Sequence, residues 1–205
     1  MLAIIDYGAG NLRSVQKACE YVGAKTVITS NPADIAGADH VILPGVGAFG
    51  DCMNSLQKSG LTNVICQTIE KNIPFLGICL GMQLLFESSE ESPGVKGLGI
   101  LPGKIVKIPH QDGLKIPHMG WNSLSFQKPC PLFQGLSDHP FVYFVHSYYM
   151  QPEDSSIIAA ETEYGCRLPI ALSRGNLFAT QFHPEKSGDV GLKILQNFIQ
   201  TGGAQ

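Results

Sequence analysis

Charge is scarce in this chain. Only 15% of its 205 residues are Asp, Glu, Lys or Arg, and the formal net charge is −3. A protein that grips nucleic acid needs a basic face for the phosphates, so this balance excludes nucleic acid as the main partner. No apolar run approaches the roughly 18 to 20 residues of a membrane span, so no membrane partner is expected. The opening Met1-Leu2-Ala3-Ile4-Ile5-Asp6 also lacks the basic stretch of a signal peptide. Low-complexity tracts, internal repeats and linker-like segments are missing too, which leaves one domain over residues 1–205. There is no Gly-x-x-x-x-Gly-Lys phosphate loop and no Cys-x-x-Cys, and the histidines and cysteines do not cluster at zinc spacings. Neither a metal nor a cofactor is expected. Gly8-Ala9-Gly10-Asn11-Leu12-Arg13 begins like a dinucleotide fingerprint, but Arg13 stands where the third glycine belongs and no acid follows at the right distance. The six cysteines are irregularly spaced, which argues against a disulfide framework and for a reduced, cytoplasmic protein.

What is present falls into two halves. The first alternates short apolar runs with helical patterns: strands at Leu2–Asp6, Lys25–Thr29, His40–Leu43 and Pro74–Ile78, and helices near Asn11–Val22, Ala33–Ala36, Phe49–Lys58 and Leu61–Glu70. That rhythm predicts a parallel sheet covered by helices. From Gly97 to about Ser173 the strands are shorter and broken by Pro, Gly and Asp, which predicts antiparallel additions. A last strand at Leu177–Phe182 leads into a closing helix near Val190–Ile199. The expected fold is α/β, a single-domain open mixed sheet that is mostly parallel. Ligands on such sheets gather at the carboxyl ends of the strands. Gly8-Ala9-Gly10, Pro44–Gly47, Cys79 and His183 all fall at predicted strand ends.

Cys79 carries the strongest chemical signal. In Pro74-Phe75-Leu76-Gly77-Ile78-Cys79-Leu80-Gly81-Met82-Gln83 an apolar strand ends at a cysteine flanked by glycines two residues away. This is the strand–nucleophile–helix turn written with cysteine instead of serine. Leu80–Phe86 has helical composition, so the thiol would feel a helix dipole and the Leu80 N–H could bind an oxyanion. His183-Pro184-Glu185 places an imidazole and a carboxylate at i and i+2, on one side of an extended chain. Glu185 can then orient His183 as a base for Cys79; the plainer reading is that His183 fills space and Glu185 caps the last helix. Pro44-Gly45-Val46-Gly47 can supply a second oxyanion N–H or simply turn the chain. Gln83 lies one helical turn past Cys79, where it lines the pocket or meets solvent. His146-Ser147-Tyr148-Tyr149 ends the aromatic run Phe141–Val145, as a substrate contact or a bend. Trp121, the single tryptophan, suits either core or interface. Cys19 and Cys66 read as small core residues.

Together the cysteine elbow, Pro-Gly-Val-Gly, His-Ser-Tyr and His-Pro-Glu resemble the class I (triad) glutamine amidotransferases. Asp6-Tyr7-Gly8-Ala9-Gly10-Asn11, His118–Asn122 and Phe182–Ser187 resemble that family's glutaminase-subunit branch from imidazole glycerol phosphate synthases. The resemblance implies a flavodoxin-like amidotransferase fold and hydrolysis of L-glutamine through a cysteinyl thioester in histidine biosynthesis. It implies Cys79, His183 and Glu185 as catalytic residues, and Gly45, Val46 and Leu80 as the oxyanion hole. It implies Gly47, Gln83, Glu91, Ser147 and Tyr148 around glutamine, with Asn11, Trp121, Tyr143 and Lys186 at a subunit interface and ammonia exit. It also implies a partner, the cyclase subunit, in a heterodimer. A (β/α)₈ cyclase needs roughly 200 to 250 residues or more, so that partner must be a separate chain. Glutaminases for pyridoxal phosphate, anthranilate or purine synthesis match the Gly-Ala-Gly-Asn and His-Met-Gly-Trp-Asn segments less well. A non-catalytic module has no chemical need for Cys79, His183 and Glu185 together, and the DJ-1 group lacks the His-x-Glu strand end.

Overall fold

In the computed structural model, which describes residues 1–202, the first apolar run forms β1 (Leu2–Ile5), followed by α1 (Leu12–Tyr21) and β2 (Thr26–Thr29). Then come α2 (Pro32–Ala36), β3 (His40–Gly45), α3 (Phe49–Lys58), α4 (Thr62–Glu70), β4 (Phe75–Cys79) and the short α5 (Leu80–Gln83). The second half supplies β5 (Phe86–Ser89), β6 (Leu101–Lys107), β7 (His118–Ser123), β8 (Ser125–Phe126), β9 (Phe141–His146) and β10 (Tyr148–Pro152). It closes with β11 (Ile158–Glu163), β12 (Arg167–Arg174), β13 (Leu177–Thr180) and α6 (Gly188–Gln200). Residues 203–205, which the expected domain span includes, lie outside the described residues.

The main sheet has eight strands in the order β2-β1-β3-β4-β13-β12-β11-β8. β2, β1, β3, β4 and β13 run parallel, and β12, β11 and β8 extend the sheet antiparallel. β1, β4 and β13 are buried along their whole length, because helices cover both faces. Period-2 alternation divides β1 between the two layers. Ala3 and Ile5 pack with apolar residues of α2, α3 and α4. Leu2 and Ile4 pack with Val15 and Cys19 of α1 and with Ile194 and Phe198 of α6. Two smaller sheets, β10-β6-β5 and β7-β9, flank this core. Among the described residues no helix is long and apolar enough to cross a membrane.

Three elements end two or more residues away from the sequence expectation. β3 continues through Pro44 to Gly45, because that stretch pairs with Ile78 and Cys79 of β4. β13 stops at Thr180, two residues short of Phe182. The helix expected over Leu80–Phe86 ends at Gln83, and Phe86 is already a strand residue paired with Leu101. The Leu84 and Leu85 carbonyls accept from Leu98 and Leu101 N–H instead of continuing the helix. A short apolar run carries no periodicity that separates helix from strand, and here tertiary hydrogen bonds decide.

The β4–α5 junction is pressed against β3 with no room for a side chain. A Cβ on Gly81 would lie 1.9 Å from the Leu43 carbonyl oxygen, which is backbone and cannot rotate away. Gly81→Ala is therefore expected to cost about 1–3 kcal/mol by overpacking and to lower the thermal midpoint by about 3–10 °C. Scanning calorimetry of the variant checks this, and an unchanged midpoint would mean that the junction relaxes freely.

Candidate active site

Sheet register brings the singled-out residues together. Gly45 of β3 lies opposite Cys79 of β4, and Thr180 of β13 lies opposite Ile78. The carboxyl ends of three parallel strands thus meet, and His183 follows three residues beyond Thr180. Cys79 adopts φ 54° and ψ −111°, a conformation side chains other than glycine rarely take. The turn is held by the Gly81 contact with Leu43 and by Gly45, where a Cβ would meet the Gly81 nitrogen at 2.7 Å. The result is a sharp elbow that presents the sulfur to a cavity of about 420 Å³ at the sheet end. Because α5 spans only four residues, the helix-dipole field expected from the sequence is small, and individual N–H groups of the elbow matter more.

His183 and Glu185 occupy the exit from β13. The ring Nδ1 lies 2.8 Å from Glu185 Oε1, and both side chains are almost wholly buried. Nδ1 therefore donates to the carboxylate and Nε2 is left for chemistry. The backbone of His183 is clamped as well. Its N–H donates to the Tyr143 carbonyl, and its own carbonyl accepts from the Ser187 hydroxyl, whose oxygen accepts from Tyr143 N–H. Burial by itself would lower the His183 pKa. The Cys79 sulfur and the Glu185 carboxylate outweigh it and raise the pKa to about 9. An imidazole that binds a proton this firmly can take one from the thiol as sulfur attacks and hold it for the leaving group. Among the described residues Glu185 Oε2 is buried with no hydrogen-bond partner, and the carboxylate's bond to His183 is made through Oε1.

Val46, Gly47, Leu80, Gln83, Glu91, Ser147, Tyr148 and Lys186 line the same cavity. The Pro44–Gly47 segment is pinned through its carbonyls, with Tyr7 Oη donating to Pro44 O at 2.9 Å and the Cys52 thiol to Val46 O at 3.3 Å. Burial raises the pKa of both Tyr7 and Cys52, keeping them protonated and able to donate. Glu91 accepts from Phe49 N–H at 2.7 Å, at the start of α3. Asn11, Trp121 and Tyr143 lie outside the cavity lining. Asn11 precedes α1 and is half-buried, while Trp121 is 55% exposed and meets Tyr143 edge-on at 6.1 Å. All six cysteines are free, Cys19 buried and Cys66 half-buried. Among the described residues no group of three or more His, Cys, Asp or Glu could hold a metal ion.

Gln181 was missed by sequence reasoning. It is fully buried and lines the cavity; its Nε2 donates to Cys79 Sγ at 3.6 Å, and its Oε1 accepts from Gln83 Nε2 at 3.0 Å. The signal was partial: Gln181 directly follows the last strand, where its N–H still donates to Ile170 O, but the chain bends at residues 181–182 before His183. His118 was given no role; it pairs with His146, itself one of the cavity-lining residues, and both rings are buried.

The family model for "Glutamine amidotransferase class-I" matches residues 3–201. The chain is 54% identical to the imidazole glycerol phosphate synthase subunit HisH of Syntrophotalea carbinolica, over 97% of this chain and 98% of that one. It is 51% identical to the protein of the same name from Methanocaldococcus jannaschii, over 98% and 99%. Among solved structures it is similar to PurLQS from Thermotoga maritima, with a TM-score of 0.73, 20% identity and coverage of 97% and 96%. It is also similar to the glutaminase domain of CTPS from Trypanosoma brucei, with a TM-score of 0.68, 17% identity and coverage of 99% and 95%. At those identities the structural likeness concerns the fold alone.

An exposed imidazole loses its proton near 6.5, whereas His183 keeps it to about pH 9 in the folded chain. A raised folded-state pKa means that the folded form binds the proton more tightly. The contribution to stability is thus fully present below about pH 6.5 and lost as the pH rises through about 9. Glu185→Gln removes one of the raising charges, so the His183 midpoint should fall. Ring-resolved NMR titration measures it, and a midpoint indifferent to the substitution would deny Glu185 its hold on the ring.

Proposed function

The chain belongs to the class-I glutamine amidotransferase family, and from that premise we propose that it is the glutaminase subunit of an imidazole glycerol phosphate synthase. The observation that carries the proposal is the buried His183–Glu185 pair at 2.8 Å, set beside the Cys79 elbow in a chain matching synthase subunits almost end to end. Cys79 gives its proton to His183 and attacks the side-chain carbonyl of L-glutamine, forming a C–S bond as the C=O double bond opens to an oxyanion. Leu80 N–H and a reoriented Gly45–Val46 peptide stabilise the tetrahedral oxyanion. The C–N bond then breaks, and His183, oriented by Glu185, gives its proton to the departing ammonia. Water hydrolyses the glutamyl thioester to glutamate and restores the thiol. Gly47, Gln83, Glu91, Ser147 and Tyr148 hold the amino-acid end of glutamine, and the cavity of about 420 Å³ is ample for one such molecule.

Ammonia released into water near neutral pH becomes ammonium and loses its nucleophilic lone pair. A productive enzyme must deliver it through a dry path to an acceptor site. In this reading the acceptor is a (β/α)₈ barrel, the cyclase subunit, which makes imidazole glycerol phosphate and the aminoimidazole carboxamide ribonucleotide in L-histidine biosynthesis. The two chains form a cytoplasmic heterodimer. Asn11, Trp121, Tyr143 and Lys186 frame the interface and the ammonia exit. The outward face of β7–β9 supports this placement. Met119, Trp121 and Phe141 are 63%, 55% and 57% exposed, and Trp121 and Tyr143 are cross-strand partners. Clustered exposed apolar side chains of this kind suit docking to another protein.

The test is a glutaminase assay of wild type and Cys79→Ala, each with and without the cyclase and its ligand. Cys79→Ala should lose about 10³-fold or more, and residual wild-type turnover in that variant would sink the mechanism. The isolated wild type should turn over slowly, because Tyr7 and Cys52 pin both carbonyls that flank the Gly45–Val46 peptide. Full speed without the partner would contradict that. Trp121→Ala should weaken cyclase binding by about 2 kcal/mol, read by titration calorimetry.

A further inference from the structure

A hydrogen-bonded row of side chains that the mechanism above does not use runs up to the cavity, where its last member, His146, lines the wall. It starts at Asn122 of β7, whose Oδ1 accepts from Ser123 N–H at 2.8 Å. That bond fixes which end of the amide is which, so Nδ2 is the donor to Glu163 O at 2.9 Å and to His118 Nε2 at 3.3 Å. At the other end His146 Nδ1 lies 2.9 Å from the Tyr148 carbonyl, which can only accept. His146 therefore carries its proton on Nδ1 and offers Nε2 as an acceptor. Between the ends, His118 Nδ1 and His146 Nε2 are 2.9 Å apart. One assignment satisfies every contact, with both rings neutral and both protonated on Nδ1. Burial agrees, holding the pKa of His118 down at about 4 and, with help from nearby His118 and His183, that of His146 at about 3. His118 is clamped between Phe144 and Tyr164, stacked at 4.6 Å and 3.9 Å.

The far end of the row is where the chain changes sheets. β9 pairs with β7 and β10 pairs with β6, with only Ser147 between them. The His146–Tyr148 bond closes that corner, and the Ser147 carbonyl is tied to Ile108 N–H at 2.9 Å. We infer that His118 and His146 are positioning residues for the glutaminase reaction: a tautomer-locked pair that sets the Ser147–Tyr148 corner and so shapes the wall holding the amino-acid end of glutamine. The inference rests on the glutaminase reading. His118 touches no substrate and acts only through His146. Losing it leaves His146 Nε2 without its donor and lets the ring turn, which loosens the corner without altering the elbow or His183.

Two measurements test this. Nitrogen-resolved NMR of the imidazoles, assigned with His118→Asn, should show both rings protonated on Nδ1 alone at neutral pH. An Nε2–H on either ring overturns the inference. In glutaminase assays with the cyclase present, His118→Leu should raise KM for glutamine about five- to tenfold, with kcat within about twofold. His118→Asn, whose side-chain amide can stand in for the Nδ1–H donor, should restore KM to within about twofold of wild type. An unchanged KM in His118→Leu, or failure of Asn to rescue it, overturns the inference while leaving the glutaminase reading intact. If His118→Leu does not fold, the tautomers decide. If wild type shows no Cys79-dependent turnover, it is the glutaminase reading that fails, and the positioning role falls with it.

Discussion

Backbone meeting backbone at Gly81 and Leu43 is the constraint on which the site depends. A Cβ at Gly81 would sit 1.9 Å from a carbonyl oxygen, so the elbow can lie on β3 only where there is no side chain. That approach forces Cys79 into its left-handed conformation. It also fixes where the sulfur stands relative to Gly45, its register partner on β3. Strain at one residue, of the order of 1–3 kcal/mol, is tolerable because β1, β4 and β13 are buried along their length and over-determine the junction. Distances at the cavity then follow from strand spacing rather than from flexible loops.

Three buried histidines at this end of the sheet show how neighbours set charge. His183 faces a carboxylate and a sulfur, and its pKa is raised. His118 and His146 face each other, an amide and a carbonyl, and burial lowers both. The fold thus holds one protonated imidazole near two neutral ones. Charge on His146 would oppose charge on His183, so the neutrality of the pair serves the base as well as the corner.

How much of this could be read from the sequence depends on the range of the signal. The elbow was legible because two glycines, a cysteine and an apolar strand are neighbours in sequence. His183 and Glu185 were legible as an imidazole and a carboxylate two residues apart. The extended chain expected there is instead a 3-10 turn over Pro184–Lys186, and it is that turn that brings Glu185 back to the ring. The parallel half of the sheet followed from buried runs alternating with helical patterns. The length of α5 was not legible, since Leu84–Phe86 are apolar and only their bonds to Leu98, Ile100 and Leu101 turn them into the approach to a strand. His118 and His146 are 28 residues apart, and nothing local announces that β7 and β9 place them directly opposite one another. Gln181 was near enough in sequence to be noticed, two residues before His183, but the chain bends between them and an amide invites less notice than a carboxylate.

The β7–β9 pair shows why that register matters twice. Along β7, Met119 and Trp121 turn outward while His118 faces inward, and along β9 Phe141 is outward while Val142, Phe144 and His146 are buried. The same two strands that carry the exposed apolar face therefore carry the histidine row. They also hold the His183 backbone, through both main-chain polar groups of Tyr143. Side chains alternate with period 2, so a slip of one residue would bury Trp121 and expose His118. It would also offset Tyr143 from His183 and Ser187. Selection of the outer face and selection of the inner contacts cannot be separated in such a ribbon. One ribbon thus joins the exposed face to His183, through the main chain of Tyr143, and to the wall at Tyr148, through His146.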